Sequence, residues 1–193
     1  YPEISTYWLP NGIDFRQFDI EADRRGIRKS WLAPNDTFVV LYAGILGHAQ
    51  GLEVILLAAE ILREKQNIKF ILVGDGPERS GLEDLAKKKH LTNTLFISNR
   101  PRNEMPSIIS ACNAYIVPLK KLDLFLGAIP SKIFEPLAMG KPIILGVDGE
   151  ARNLFIEKGQ CGLFYEPENY SELAQCILTL EQDRNLAYHL GEN

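Results

Sequence analysis

The sequence predicts a parallel, doubly wound α/β sheet of about six strands with helices on both faces. Three observations carry that prediction. First, β-rich apolar runs recur at 38–43, 70–73, 95–98, 114–117, 143–145 and 162–165. Second, these runs are near-continuous rather than alternating, as expected of strands covered on both faces. Third, segments of helical period lie between and after them, at 52–62, 82–89, 105–112, 131–139, 151–157 and 171–180. Strict alternation of strand and helix gives a Rossmann-like sheet, whose ligands bind outside the carboxyl ends of the strands. The loops to inspect are therefore 44–51, 74–77, 98–103, 118–131 and 146–150.

Taken in order, the first run leads into Gly44-Ile45-Leu46-Gly47-His48-Ala49-Gln50-Gly51, a glycine-rich loop before a helix. A backbone without Cβ atoms there can approach a phosphate closely. It is not a Walker A loop, because no Gly-Lys-Ser/Thr follows, and it is not Gly-x-Gly-x-x-Gly. The second run leads into Gly74-Asp75-Gly76-Pro77, with Pro77 placed to begin a helix. The third ends in Ser98-Asn99, without the acidic residue that would hold a dinucleotide ribose. Those mismatches argue against a nicotinamide or flavin dehydrogenase. The fifth run leads into Gly149-Glu150, which is open to two readings, a turn with a cap or a ligand-facing edge.

The segment Pro130-Ser131-Lys132-Ile133-Phe134-Glu135, continuing through Leu137-Ala138-Met139-Gly140-Lys141-Pro142, is the most informative. Ser131 is expected to cap the helix with its side-chain oxygen. At 100° per residue Ile133, Phe134, Leu137 and Ala138 form the apolar arc, and Lys132 and Glu135 share the opposite face. Pro136 predicts a kink or a late helix start. A lysine in a first helical turn is unfavourable on dipole grounds, and a bound anion removes that conflict. A short pinned helix with one cation and one carboxylate suits a phosphorylated sugar or nucleotide. Ser131 has no nucleophile elbow around it.

Composition narrows the class. The 193 residues are 46% hydrophobic and 24% charged with a net charge of −4, which suits one soluble domain and argues against a nucleic-acid surface. No apolar run reaches the length of a membrane span. His48, His90 and His189 are far apart, and no metal spacing occurs, so no metal is expected. Only His48 lies in a candidate phosphate loop, and the other two are expected at helix ends. The three scattered cysteines, Cys112, Cys161 and Cys176, read as free thiols in a reducing, cytoplasmic compartment. Pro10-Asn11-Gly12-Ile13-Asp14 reads as a turn at the entry to a domain. The abrupt ends, without a tidy terminal element, suggest a piece of something longer.

In this order and spacing, the motifs resemble the C-terminal, donor-binding domain of GT-B-fold retaining glycosyltransferases, the family-4 or group 1 type. The resemblance covers nearly the whole chain. It implies that residues 1–14 are the hinge toward an acceptor domain and 15–193 the nucleotide-sugar domain. Tyr42-Ala43-Gly44 through Gly51-Leu52 looks like the first strand and phosphate loop, with Gly44 and Gly47 near the donor. By the same resemblance Ser131, Lys132 and the start of its helix hold the diphosphate, and Glu135 accepts from the ribose hydroxyls. Backbone groups of Ser98, Asn99 and Arg100 would meet the base. The implied reaction is metal-independent transfer from a UDP-sugar or another nucleotide-diphosphate sugar, needing no cofactor. It fits cell-surface polysaccharide or glycoconjugate synthesis, with the whole enzyme cytoplasmic or peripheral at the inner membrane face.

Two departures stand out. The family's pattern has two glutamates separated by seven residues; Glu135 matches the second, and Gly127 stands where the first belongs. Where many relatives carry Arg and Lys in the first phosphate loop, this chain offers Leu46, His48 and Gln50. A non-catalytic nucleotide-sugar sensor and a sugar-nucleotide epimerase of the same fold are the alternatives. The resemblance implies that an acceptor-binding domain precedes this one, and that these residues alone bind donor without transferring it.

Overall fold

The computed structural model describes residues 12–18 and 24–193. Its core is one six-stranded sheet: β1 (Phe38–Ala43), β2 (Ile68–Val73), β3 (Thr94–Ile97), β4 (Ala114–Pro118), β5 (Ile143–Gly146) and β6 (Gly162–Phe164). The order is β3-β2-β1-β4-β5-β6 and every pairing is parallel. Burial explains the continuous apolar runs. Val40 and Tyr42 belong to one core layer and Val39, Leu41 and Ala43 to the other, so all of β1 is inaccessible. At about 1.5–3 kcal/mol per buried large side chain, β1 is a chief contributor to stability.

The helices are α1 (Arg24–Ser30), α2 (Glu53–Ile61), α3 (Arg79–Lys88), α4 (Met105–Ser110), α5 (Phe134–Ala138), α6 (Glu150–Arg152), α7 (Tyr170–Gln182) and α8 (Arg184–Glu192). The segment after α6, Asn153–Lys158, widens into π geometry. Two helices lie outside the expected set. The α8 helix gives the chain an ordered last element, against the expectation of an untidy end. Its signal was the Asp183 side chain, which accepts from the Leu186 N–H as an N-cap. The α1 helix carries no apolar period; what fastens it is Arg28. That buried guanidinium donates to the carbonyls of Pro34 and Ala111 at 2.8 Å each, to Asn113 Oδ1 at 3.2 Å and to the Thr37 carbonyl. Burial pulls its pKa below the ordinary value.

Two expectations near α3 and α5 need correction. Pro77 precedes the helix rather than beginning it, since α3 starts at Arg79. Residues 131–139 do not form one helix capped by Ser131. Pro130 takes the cap position in extended conformation, Ser131–Ile133 make a 3-10 turn, and no side chain caps it. The α-helix begins at Phe134, so Pro136 sits in the first turn, where its missing N–H costs nothing. The late start expected from Pro136 is what forms. The buried positions are Ile133, Pro136 and Met139, every third residue as the tight turn dictates, while Phe134, Leu137 and Ala138 are only partly covered.

At the amino end, Asp14 caps the 3-10 turn Phe15–Gln17 by accepting from Arg16. Pro10 and Asn11 of the expected entry turn, and most of the expected hinge at 1–14, lie outside the described residues. Cys112, Cys161 and Cys176 are all free. His90 and His189 are exposed at the ends of α3 and α8.

Candidate functional site

The sheet itself creates the cleft. β1 pairs with β2 over six residues but with β4 over only two, Val40 with Ala114 and Leu41 with Tyr115. Beyond that point the strands part, and this is where the strand order reverses, the place such folds bind ligands. The Tyr115 hydroxyl donates to the Ala43 carbonyl at 2.8 Å across the base of the opening. A cleft of about 560 Å³ lies above it, lined among others by Gly44, Gln50, Arg102, Ser131, Lys132 and Glu135. That volume is in the usual range for a small-molecule site.

Lys132 is the site's central group. Rather than reaching solvent, its Nζ donates to the Tyr42 hydroxyl at 2.7 Å and lies 4.2 Å from the centre of that ring. Burial alone pulls its pKa down to about 8, and no carboxylate of a described residue forms an ion pair with it. At pH 7 the amine is thus mostly an ammonium, held among a neutral hydroxyl, a π face and the backbone of Gly44. A Cβ on Gly44 would stand 3.0 Å from Nζ, and φ there is +143°. Glycine makes room for the amine.

Glu135, one helical step on, is half-buried on the same cleft. It acts on its surroundings: burial first, then the Glu135 charge, hold the Tyr115 hydroxyl neutral well above the ordinary phenol range. The cleft therefore brings a lysine and a glutamate to one lining, an ammonium that donates and a carboxylate that accepts. Such a pair recognises a ligand carrying both anionic and hydroxyl groups.

Of the expected site residues, the structure brings Gly44, Ser131, Lys132 and Glu135 together. Gly47 does not line the cleft; it faces the Gln50 side chain. Ser98, Asn99 and Arg100 follow β3 in exposed positions outside the cleft lining, with Arg100 3.9 Å from Glu104. Arg102, two residues on, reaches the cleft instead. A one-turn 3-10 segment, Arg102–Glu104, turns the chain back there, which spacing did not reveal. The sequence shows Tyr42 only as a strand residue, and nothing in it pairs that hydroxyl with a lysine 90 residues away.

The glycine loop also differs from expectation. The Gly44 and Leu46 N–H groups donate to the Val73 and Asp75 carbonyls at 2.9 Å each, so neither faces a ligand. Gly74 makes this junction possible: at φ +147°, a Cβ there would lie 1.9 Å from the Gly44 carbonyl oxygen. His48 meets Glu78 at 2.6 Å, tying the loop to the start of α3 rather than to the cleft. Gly149-Glu150 resolves to the cap reading, since the Glu150 N–H donates to the Leu126 carbonyl at 2.8 Å. Gly127 is open, with nothing within 4 Å of an added Cβ. Among the described residues no three His, Cys, Asp or Glu side chains converge on a metal position, and no helix is long and apolar enough to cross a membrane.

Comparison with known proteins adds the following. The family described as "Glycosyl transferases group 1" matches residues 23–193. Alpha-D-kanosaminyltransferase of Streptomyces kanamyceticus is 30% identical over 181 residues, 93% of this chain and 45% of that protein. The putative colanic acid biosynthesis glycosyl transferase WcaI of Escherichia coli is 27% identical, covering 90% of this chain and 43% of its own. The chain thus spans about half the length of these relatives. Among solved structures, Anabaena Alr3699/HepE in complex with UDP-glucose superposes with a TM-score of 0.80 at 23% identity, covering 95% of this chain and 50% of that one. The C-terminal domain of a glycosyl transferase group 1 family protein (LpcC) from Francisella tularensis gives 0.75 at 20% identity, covering 94% of each chain. These likenesses establish the Rossmann-like, GT-B type of fold.

Proposed function

Since the chain belongs to the group 1 glycosyltransferase family, we propose that it is the donor-binding half of a retaining, metal-independent enzyme that uses a UDP-sugar. The observation that carries this reading is the partly buried Lys132 ammonium, which has no carboxylate partner among the described residues and borders the cleft with Glu135. A desolvated cation of this kind binds a diphosphate strongly, because its hydration cost is already met by the fold. Glu135 accepts from the ribose hydroxyls, and Ser131 and the turn it opens flank the diphosphate. Arg102 supplies a second cation from the loop after β3. Roles at Gly47 and at the Ser98, Asn99 and Arg100 backbone require the chain to rearrange on binding.

In the reaction, breakage of the sugar–phosphate bond leaves charge on the departing diphosphate, and fixed positive groups stabilise it. Lys132 carries most of that load, since the Gly44 and Leu46 N–H groups are already engaged. The bound UDP-glucose of the Anabaena protein supports uridine as the base. The coverage of about half of each relative supports a further, acceptor-binding domain, and these 193 residues alone are expected to bind donor without transfer. The colanic acid biosynthesis named for the Escherichia coli relative supports a role in cell-surface glycan synthesis. Three free cysteines fit a reducing, cytoplasmic setting, whether or not the whole enzyme rests on the membrane.

Isothermal titration of the 193-residue chain with UDP and UDP-sugars tests this. Heat is expected, and Glu135→Ala weakens binding by about 1.5–3 kcal/mol, the value of a hydrogen bond to a charged group. A folded sample giving no heat with any nucleotide refutes the reading.

A further inference from the structure

Tyr42, next to last in β1, is only 1% exposed, yet its hydroxyl meets a residue that lines the cleft. It donates to the Ile45 carbonyl at 2.6 Å and receives the Lys132 ammonium at 2.7 Å. We propose that Tyr42 is the positioning residue for Lys132, fixing the ammonium toward the cleft while leaving its full charge for the donor's diphosphate. The inference rests on the functional reading above and deepens it.

The chemistry follows from the hydroxyl's inventory. A phenol has one proton to donate and two lone pairs. Burial holds Tyr42 in its neutral form, and its single proton is committed to Ile45. Toward Lys132 the hydroxyl is therefore an acceptor only. It holds the charged amine by a hydrogen bond and by its ring face, and neutralises none of that charge. A carboxylate at the same place would hold the lysine equally well but cancel the charge needed by an anion. A Cβ added at Gly44 would come 3.0 Å from Nζ and 3.6 Å from the Tyr42 hydroxyl, so glycine leaves room for this contact. The same hydroxyl grips the Ile45 carbonyl of the glycine loop, so the cation on one cleft wall and the loop on the other share one anchor. Among the described residues, Glu135 on the lysine's own segment and Arg102 from the loop after β3 are the other charged groups lining this cleft.

The test is a double-mutant cycle on the 193-residue chain, with Tyr42→Phe, Lys132→Met and both together. UDP and uridine are titrated calorimetrically between pH 6 and pH 10. Tyr42→Phe should weaken UDP about fivefold to tenfold while uridine changes less than twofold. The pH at which UDP affinity begins to fall should move down, because the ammonium has lost its acceptor. In the Lys132→Met background Tyr42→Phe should change UDP affinity less than twofold. Equal losses for UDP and uridine, an unmoved pH break, or the same loss in the Lys132→Met background would each overturn the proposal. Should Tyr42→Phe fail to fold, the wild type decides by NMR. With tyrosine labelled at 13Cζ, the Tyr42 signal should shift at the pH where Lys132 titrates, and an unmoved signal overturns the tie. A wild type that binds no UDP sinks the functional reading, whereas UDP binding that ignores Tyr42 sinks only this inference.

Discussion

Replacing Lys132 by methionine should make the protein more stable and a poorer binder. The stability change follows from the buried amine. Its pKa falls from 10.5 to about 8 in the folded chain, and burial is the cause. At about 1.4 kcal/mol per pH unit, charging Lys132 costs the fold about 3 kcal/mol at pH 7. Methionine has similar length and no charge, and it forfeits the contact with Tyr42, about 1 kcal/mol. A net gain of about 2 kcal/mol should raise the melting temperature by about 4–8 °C. The pH dependence has a definite sign. Between about pH 8 and 10.5 the unfolded lysine keeps its proton and the folded one does not, so wild-type stability rises with pH across that window. The variant should lack this rise. UDP affinity should move the other way, falling about tenfold to a hundredfold, as for loss of a charge-assisted bond. Thermal melts across pH 6–10 and UDP titrations measure both. A variant that melts lower than wild type and binds UDP equally well would refute the placement of Lys132 as a strained cation awaiting an anion.

Gly127→Glu places a carboxylate where the resemblance to the family leads one to expect it. Its Cβ meets nothing within 4 Å, so the melting temperature should stay within the spread of ordinary surface changes, about 0.5 kcal/mol. If residue 127 borders the donor sugar, UDP-glucose affinity should change while UDP affinity does not, and titration of both decides. Arg28→Met should be severe, because it removes one guanidinium from four acceptors at the base of the sheet. A loss of about 3–5 kcal/mol is expected from urea melts, and a loss under about 1 kcal/mol would deny Arg28 its role as the anchor of α1.

What was legible in the sequence was what burial imposes locally. All six strands fall within two residues of their expected bounds, and the central ones do so because strands covered on both faces must be apolar throughout. Glu135 and Lys132 were legible as a pair because they lie three residues apart. The direction of Lys132 was not. Its neighbours Tyr42 and Gly44 come from β1 and the loop after it, and only the parallel crossover brings them alongside. The Ser131 cap failed for a related reason: residue types that cap helices also open 3-10 turns, and Pro130 already held the extended cap conformation. Arg102 was missed because a single tight turn redirects the chain after β3. The glycine loop misled most. Glycines that bring a backbone close to phosphate also bring two backbones close to each other, and Gly44 and Gly74 do the latter.

The two-residue ladder between β1 and β4 has a consequence for how the protein comes apart. It joins β3-β2-β1 to β4-β5-β6 at residues separated by 74 positions in sequence. Each half is laced by longer and more local pairings, whereas between these two units of the sheet only that short ladder and the core layers on either face hold the seam. A ligand gripping Ala43–Ile45 on one side and Ser131–Glu135 on the other would bridge the two units. Donor binding would then act as a staple across the weakest line of the sheet, and amide exchange on both sides of it would slow together.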